Sequence, residues 1–379
     1  MHNASVPFEE FADTGHPVWD RFLRLFHWAL AASIVTALVT GFLLDASWSR
    51  LHLVSGVFAV SLVAARIIWG FTGPTYARFS QFVPTPRAVM THLRGGETHA
   101  RHLGHNPLGA LMVLALLATV LTLGVTGTAL LGSALKTGPV AFALPATQGR
   151  LWSELHEMTA FGILGLAISH LAGVIFESWR GGENLSRAMI TGRKEVRQGD
   201  LVARPRAAHV LLAVALITGL FVAGVASITG LTRIAPDRQP VATLPETYVT
   251  ECTACHMAYH PSLRSAASWT LMMDQLDSHF GEDASLPDTA RDDITAWLTQ
   301  HAAGTVDSKP AMLWRDLSET KSVSLPETSR WKWLHGGLDD SVFQRRPIHS
   351  RANCGACHQD AETGWFSPFN LSIPKETTK

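Results

Sequence analysis

The chain has 379 residues, 47% hydrophobic and 16% charged, with 31 basic and 31 acidic side chains in balance. This composition excludes a disordered chain and a nucleic-acid coat, which need low hydrophobicity and a strong net charge. The length accommodates two or three domains, and the placement of the apolar residues decides which solvent they face.

The first 20 residues are polar, with Glu9, Glu10, Asp13 and Asp20, and lack the basic start and small-residue cleavage site of a secretory signal. No cleavable signal peptide is expected. Five stretches of apolar or small residues follow, at 23–44, 51–71, 107–131, 151–176 and 207–231. Each is about twenty residues long, the thickness of a bilayer core at the helical rise. Gly124, Thr126, Gly127, Gly219 and Gly224 inside them suit close helix contacts in lipid. The expected fold is all-α: a membrane bundle of five spans over 1–231, a linker over 232–247, and a mainly helical, loop-rich soluble domain over 248–379.

Charge gives an orientation. Residues 1–231 carry 17 Lys and Arg against 12 Asp and Glu, and residues 232–379 carry 14 against 19. The loop after the second span holds Arg78, Arg87, Arg94 and Arg101; that after the fourth holds Arg180, Arg187, Arg193, Lys194, Arg197, Arg204 and Arg206. The other two loops hold Arg50, Lys136 and Arg150. The positive-inside rule puts the basic pair of loops and the N-terminus in the cytoplasm. Five spans then deliver the C-terminal part to the outer side of the inner (cytoplasmic) membrane, the periplasm.

All four cysteines fall in two Cys-x-x-Cys-His runs, Cys252-Thr-Ala-Cys255-His256 and Cys354-Gly-Ala-Cys357-His358. In this spacing two thiols take up the vinyl groups of a haem and the adjoining His reaches the iron. The alternative is a four-cysteine zinc site, but zinc ribbons separate their pairs by about 15 to 20 residues and need no His after each pair. Covalent haem also agrees with an outer location. The far position of each c haem is left open for a small molecule or is filled by His260, His279, His301, His335 or His349, or by Met257, Met272, Met273 or Met312. Residues 268–280 read as an amphipathic helix with Trp269, Met272, Leu276 and Phe280 on one side and His279 at its end. His335 follows Trp331 and Trp333 and precedes Gly336-Gly337, which allows close approach of a flat cofactor. Position alone leaves both histidines open between ligand and surface residue.

Of 18 histidines, His27, His52, His156 and His170 lie inside the spans, while His209 sits at the interface where the fifth begins. One intramembrane His is explained by a bond between helices; four need more. His156 and His170, 14 residues apart, are separated by about 21 Å of rise and about 40° of rotation. They face the same way at two depths, with His27 level with His170 and His52 level with His156. Two stacked bis-His sites fit two non-covalent b haems better than zinc or a proton relay. Arg66, 14 residues after His52, reads either as an Arg snorkelling to the interface or as the partner of a haem propionate.

Val18-Trp19-Asp20 through Arg24-Leu-Phe-His27-Trp28, Thr40-Gly41, Arg66-Ile-Ile-Trp69-Gly70-Phe-Thr-Gly73, Gly104-His105-Asn106-Pro107 and the spaced histidine pair resemble the bacterial cytochrome b561 family, which includes the cytochrome b subunits of hydrogenases and formate dehydrogenases. The resemblance spans about 15–231 and implies two b haems on the four histidines and electron exchange with quinone. It places the quinone by the inner haem, near Arg101, His102, His105 and Asn106, although Asn106-Pro107 is also an ordinary helix start.

Residues 245–370 resemble the dihaem cytochrome c family through Cys252-Thr-Ala-Cys255-His256-Met-Ala-Tyr259, Ser268-Trp269, the run His279 to Leu286, and Asn353-Cys354-Gly-Ala-Cys357-His358. That resemblance implies bis-His c haems and favours His279 and His335 as far ligands, His279 for the first haem and His335 for the second. His260-Pro261 stands where a Pro-Pro pair is more usual, which disfavours His260. Such cytochromes pass electrons to a small soluble monohaem cytochrome, the sphaeroides haem protein.

The expectation is a fused tetrahaem electron-transfer protein in membrane lipid, running from quinol through two b and two c haems to a soluble periplasmic cytochrome. No side chain reads as a general acid, base or nucleophile. Whether the chain is a carrier or a quinol:cytochrome c oxidoreductase depends on where quinol is oxidised. The competing readings are a haem-based gas sensor and a cytochrome subunit of a larger hydrogenase or dehydrogenase complex.

Overall fold

The computed structural model describes residues 15–93, 103–197, 200, 202–316 and 324–375. Five helices are long and apolar enough to cross a membrane: Arg21–Phe42, Ala46–Thr72, Pro107–Ala134, Ala146–Gly181 and Val210–Leu231. Their ends depart from the apolar limits for local reasons. Asp20 Oδ1 accepts from Leu23 N at 3.0 Å, so the first helix starts at Arg21. Asp45 Oδ1 accepts from Ser47 N at 2.8 Å and starts the turn that leads into the second. The fourth overshoots, with 33 α-helical residues over Gly149–Gly181. The fifth starts at Val210, because His209 N is engaged by Thr72 O at 2.8 Å.

Large apolar side chains on these helices face outward: Leu211 is 87% exposed and Phe221 68%. A surface of that kind is unfavourable in water and favourable in hydrocarbon, and the chain is a multi-pass membrane protein. Buried hydroxyls are satisfied within their own helices, as Ser33 Oγ donates to Ala29 O and Thr40 Oγ1 to Thr36 O, both at 2.7 Å.

The chain divides into two compact units. The first comprises the chain up to Leu43 with Leu51–Thr126 and Glu154–Ser227. One of its cores gathers Val18, Trp19, Leu23, Trp69 and Leu103, and another Ala59, Val63, Leu117, Val120 and Ile163. A short antiparallel ribbon pairs His16–Pro17 with Arg193–Lys194.

The second unit comprises Leu44–Arg50, Gly127–Ser153 and the chain from Ile228 onward. Its helices are short, including Glu246–Cys252, Ala266–Met273, Asp288–Gln300, Lys309–Trp314, Ser329–His335 and Asp340–Gln344, with 3-10 turns between them. They enclose Tyr248, Trp269, Met272, Met273, Ile294 and Leu298 in one core and Leu263, Trp314, Leu325 and Trp331 in another. Compactness thus divides the chain differently from the chain-order boundaries of 1–231, 232–247 and 248–379. Two interhelical loops pack with the C-terminal part. Within 232–247, Arg238 O accepts from Asp307 N at 2.8 Å and Val241 O from His260 Nε2 at 3.1 Å.

The expected helix over 268–280 is shorter than its apolar spacing suggests. Ser265 caps Ala266–Met273, and the chain then tightens into the 3-10 turn Leu276–Ser278. Phe280 (φ 55°) and Gly281 (φ 100°) reverse it, with His279 N bonded to Glu282 O at 2.8 Å. Phe280 is 53% exposed, and His279 is presented by a turn.

Candidate functional site

In the first unit, His27 on the first spanning helix faces His170 on the fourth, with ring centroids 6.3 Å apart. His52 on the second faces His156 on the fourth at 6.1 Å. In the second unit, His256 faces His279 at 6.0 Å and His358 faces His335 at 6.3 Å. Two imidazoles bound to one metal, each nitrogen about 2.0 Å from it, hold their centroids about 6 Å apart. All four separations fit that requirement.

The ring tautomers fit as well. His52 Nδ1 lies 3.0 Å from Ala37 O, His156 Nδ1 3.0 Å from Thr126 Oγ1, His256 Nδ1 2.7 Å from Met257 O and His335 Nδ1 3.0 Å from Trp331 O. A carbonyl only accepts, and Thr126 Oγ1 already donates to Thr122 O at 2.9 Å, so each Nδ1 carries the hydrogen. Each Nε2 keeps its lone pair for a metal. His27 Nδ1 and His358 Nδ1 are buried without a hydrogen-bond partner among the described residues. Burial holds His279, His335 and His358 below the ordinary imidazole range, with the charge of the facing histidine adding for His279 and His358. The neutral ring that results is the ligating form.

The paired histidines are closely walled. A Cβ at Gly41 would lie 3.2 Å from His52 Cε1. Trp331 stacks on His335 with centroids 4.1 Å apart, and Phe366 lies 5.2 Å from His358. Tyr259, beside His256, donates to Ala352 O at 2.8 Å and so ties the first attachment motif to the second. Cys252 and Cys255 accompany His256, and Cys354 and Cys357 accompany His358. Among the described residues no three His, Cys, Asp or Glu side chains converge as a metal cluster.

Three of the alternatives for the far c-haem ligands, His260, Met272 and Met273, are otherwise engaged. His260 is fully buried, with Nδ1 2.7 Å from Ser262 Oγ and Nε2 3.1 Å from Val241 O, and burial pushes it down to about 4. Gly364 (φ 72°) makes room for it, since a Cβ there would sit 2.4 Å from Nδ1. Met272 and Met273 are core residues; His301 Nδ1 bonds Trp297 O at 2.8 Å, which leaves its Nε2 as open as that of His335.

Arg66 is 2% exposed, its guanidinium lies 5.2 Å from the Phe79 ring centroid, and Nη1 has no hydrogen-bond partner among the described residues. A buried cation of that kind suits an anionic group such as a propionate. Arg101 and His102 lie outside the described residues. Asn106 Oδ1 accepts from Gly109 N at 2.6 Å and caps the third spanning helix. His105 was less legible. Its ring packs between Trp19 and Phe82, each 4.8 Å away, and its Nδ1 is buried without a partner among the described residues. It lines a cavity of about 60 Å³ with Tyr76, Gln81, Phe82 and Leu103. Burial, with the positive charges of Arg66 and Lys194, pushes His105 down to about 3.

Residues 248–366 match the family described as dihaem cytochrome c, and residues 18–192 match prokaryotic cytochrome b561. A probable Ni/Fe-hydrogenase B-type cytochrome subunit of Azotobacter vinelandii is 29% identical over 139 residues, 30% of this chain and 58% of that protein. Its counterpart in Azotobacter chroococcum mcd 1 is 28% identical over 175 residues, 39% of this chain and 73% of that protein. Among solved structures, a dihaem cytochrome c from Rhodobacter sphaeroides is 38% identical, with 33% of this chain and 98% of that chain covered and a TM-score of 0.28. One from Shewanella baltica OS155 is 29% identical, with 35% and 95% covered and a TM-score of 0.28.

Proposed function

We propose that this chain, which joins a prokaryotic cytochrome b561 region at residues 18–192 to a dihaem cytochrome c region at residues 248–366, carries electrons from membrane quinol to a soluble periplasmic acceptor. Its cofactors are two b haems and two c haems, which when bound supply one-electron transfer. The observation that carries the proposal is the set of four histidine pairs at 6.0 to 6.3 Å, two on spanning helices and two beside covalent-attachment motifs.

In this reading His27 with His170 and His52 with His156 would hold the b haems. His256 with His279 and His358 with His335 ligate the c haems, and Cys252, Cys255, Cys354 and Cys357 form the thioethers. Charge asymmetry between loops favours a cytoplasmic N-terminus and a periplasmic C-terminal domain. Arg66 pairs with a propionate beside the His27 and His170 pair. Replacing Arg66 by Leu removes a cation that disfavours the oxidised haem. The expected result is a midpoint potential lower by on the order of tens of millivolts for one b haem alone, read by redox titration; an unchanged titration would assign Arg66 to helix packing.

Quinol is placed beside His105. The cavity is less than half of the about 150 Å³ that encloses a benzene ring, so in this reading at most the oxygen-bearing edge of a head group enters it. The neutral His105 offers that oxygen a buried nitrogen. Anaerobic mixing of the purified, haem-loaded chain with a short-chain quinol tests the route. Expected is reduction of b and then c haems, with His105→Leu slowing b-haem reduction at least about tenfold at unchanged haem content. A chain that quinol does not reduce would overturn the reading. The hydrogenase-type relatives favour a second one, a cytochrome subunit of a larger complex, which native purification with further subunits attached would support.

A further inference from the structure

We propose that the buried Lys136–Asp307 ion pair is a latch that seats the dihaem domain on the loop between the third and fourth spanning helices, independently of the covalent tether. The loop Gly127–Ser153 and the chain from Ile228 belong to one compact unit. Lys136 is 9% exposed and Asp307 6%. Lys136 Nζ pairs with Asp307 Oδ2 and also donates to Leu144 O at 2.6 Å, while Asp307 Oδ1 accepts from Ala146 N at 2.8 Å. Both carboxylate oxygens are therefore taken by the loop.

Each side is built to hold its charge in place. Lys136 adopts φ 49°, a backbone region that non-glycine residues occupy sparsely, and the loop closes around it with Thr137 N bonded to Leu131 O at 3.1 Å. Asp307 is fixed by its own N–H to Arg238 O at 2.8 Å and by Ser308, which caps the helix Lys309–Trp314. A second point of attachment joins the loop Leu44–Arg50, where Arg50 Nη2 donates to Phe369 O at 2.6 Å. These two loops are poor in positive charge, with Arg50, Lys136 and Arg150 between them. Arg50 and Lys136 both bond to the C-terminal domain.

A buried ion pair adds little over an apolar contact of the same shape, but it penalises any arrangement that leaves one charge buried alone. That makes it a device for register: the domain is held in one seat, and alternative seats are disfavoured. The dihaem domain then works seated on its loops and does not swing on the segment after the fifth span. This goes beyond the electron route and does not depend on the direction of flow.

The test uses the full-length, haem-loaded chain in detergent with a protease site introduced within residues 233–237. After cutting, size-exclusion chromatography follows the covalent c haems and the b haems by their separate absorbance. Nicked wild-type chain is expected to elute with both haem types in one peak. Lys136→Met and Asp307→Asn, cut in the same way, are expected to lose at least tenfold of the c haem from the b-haem peak, with haem content before cutting unchanged. Separation of the nicked wild type, or co-elution of both variants, would overturn the latch. Should both substitutions cost the chain its haems, hydrogen exchange of the uncut wild type decides. Slow exchange at the Ala146 amide supports the latch and solvent-like exchange overturns it.

Discussion

Replacing His170 by Leu is expected to leave the chain with one extractable b haem in place of two, and replacing His27 by Leu to remove the same haem. The pair stands 6.3 Å apart on two spanning helices, and a b haem held there would have no covalent bond to the chain, so its retention would depend on the two histidines and the surrounding apolar walls. Leucine preserves the apolar character of the helix, which separates loss of the ligand from loss of the span. The His52→Leu and His156→Leu variants are expected to lose the other b haem, and all four to keep two covalent c haems. Quantifying extractable against covalent haem in each variant, with the spectrum of the remaining b haem, checks the pairing. Loss of one common component from the His27 and His156 variants would overturn it.

How much of this was legible follows from what each signal depends on. The spans were legible because length and hydropathy respond to the solvent, whatever the tertiary packing; only their ends needed caps such as Asp20 and the Thr72 carbonyl that engages His209. The membrane pairs were legible because 14 residues return a helix nearly to the same face. Helix periodicity failed at Phe280, where a positive φ turns an apolar residue outward although its spacing fits a buried face. Lys136 carried only a topological meaning in sequence, since its partner lies 171 positions away. His105 was legible only as one of several loop residues near the quinone: its burial between Trp19 and Phe82 is tertiary, while the adjacent Asn106 spends its side chain on an ordinary helix cap.

Carbon monoxide is expected not to bind the reduced c haems of the wild-type chain, and to bind one haem per chain after either His279→Ala or His335→Ala. Thioethers at Cys252 and Cys255, or at Cys354 and Cys357, would hold the haem when its far ligand is removed, so the variant is expected to keep its c haem with an open position. This contrast with the b haems makes the two classes of site separable in one set of proteins. The two far ligands also differ in how they are held. His335 ends the helix Ser329–His335, with Nδ1 3.0 Å from Trp331 O and Trp331 stacked on its ring. His279 depends on a turn in which Gly281 adopts φ 100° with no atom within 4 Å of an added Cβ. Gly281→Ala therefore meets backbone strain of about 1–3 kcal/mol without a steric clash. That strain is expected to loosen His279 alone and admit partial carbon monoxide binding at the first c haem, with the second unaffected. Stoichiometric binding by the wild type would return the gas-sensor reading, and binding at the second haem in Gly281→Ala would break the assignment of His279 to the first.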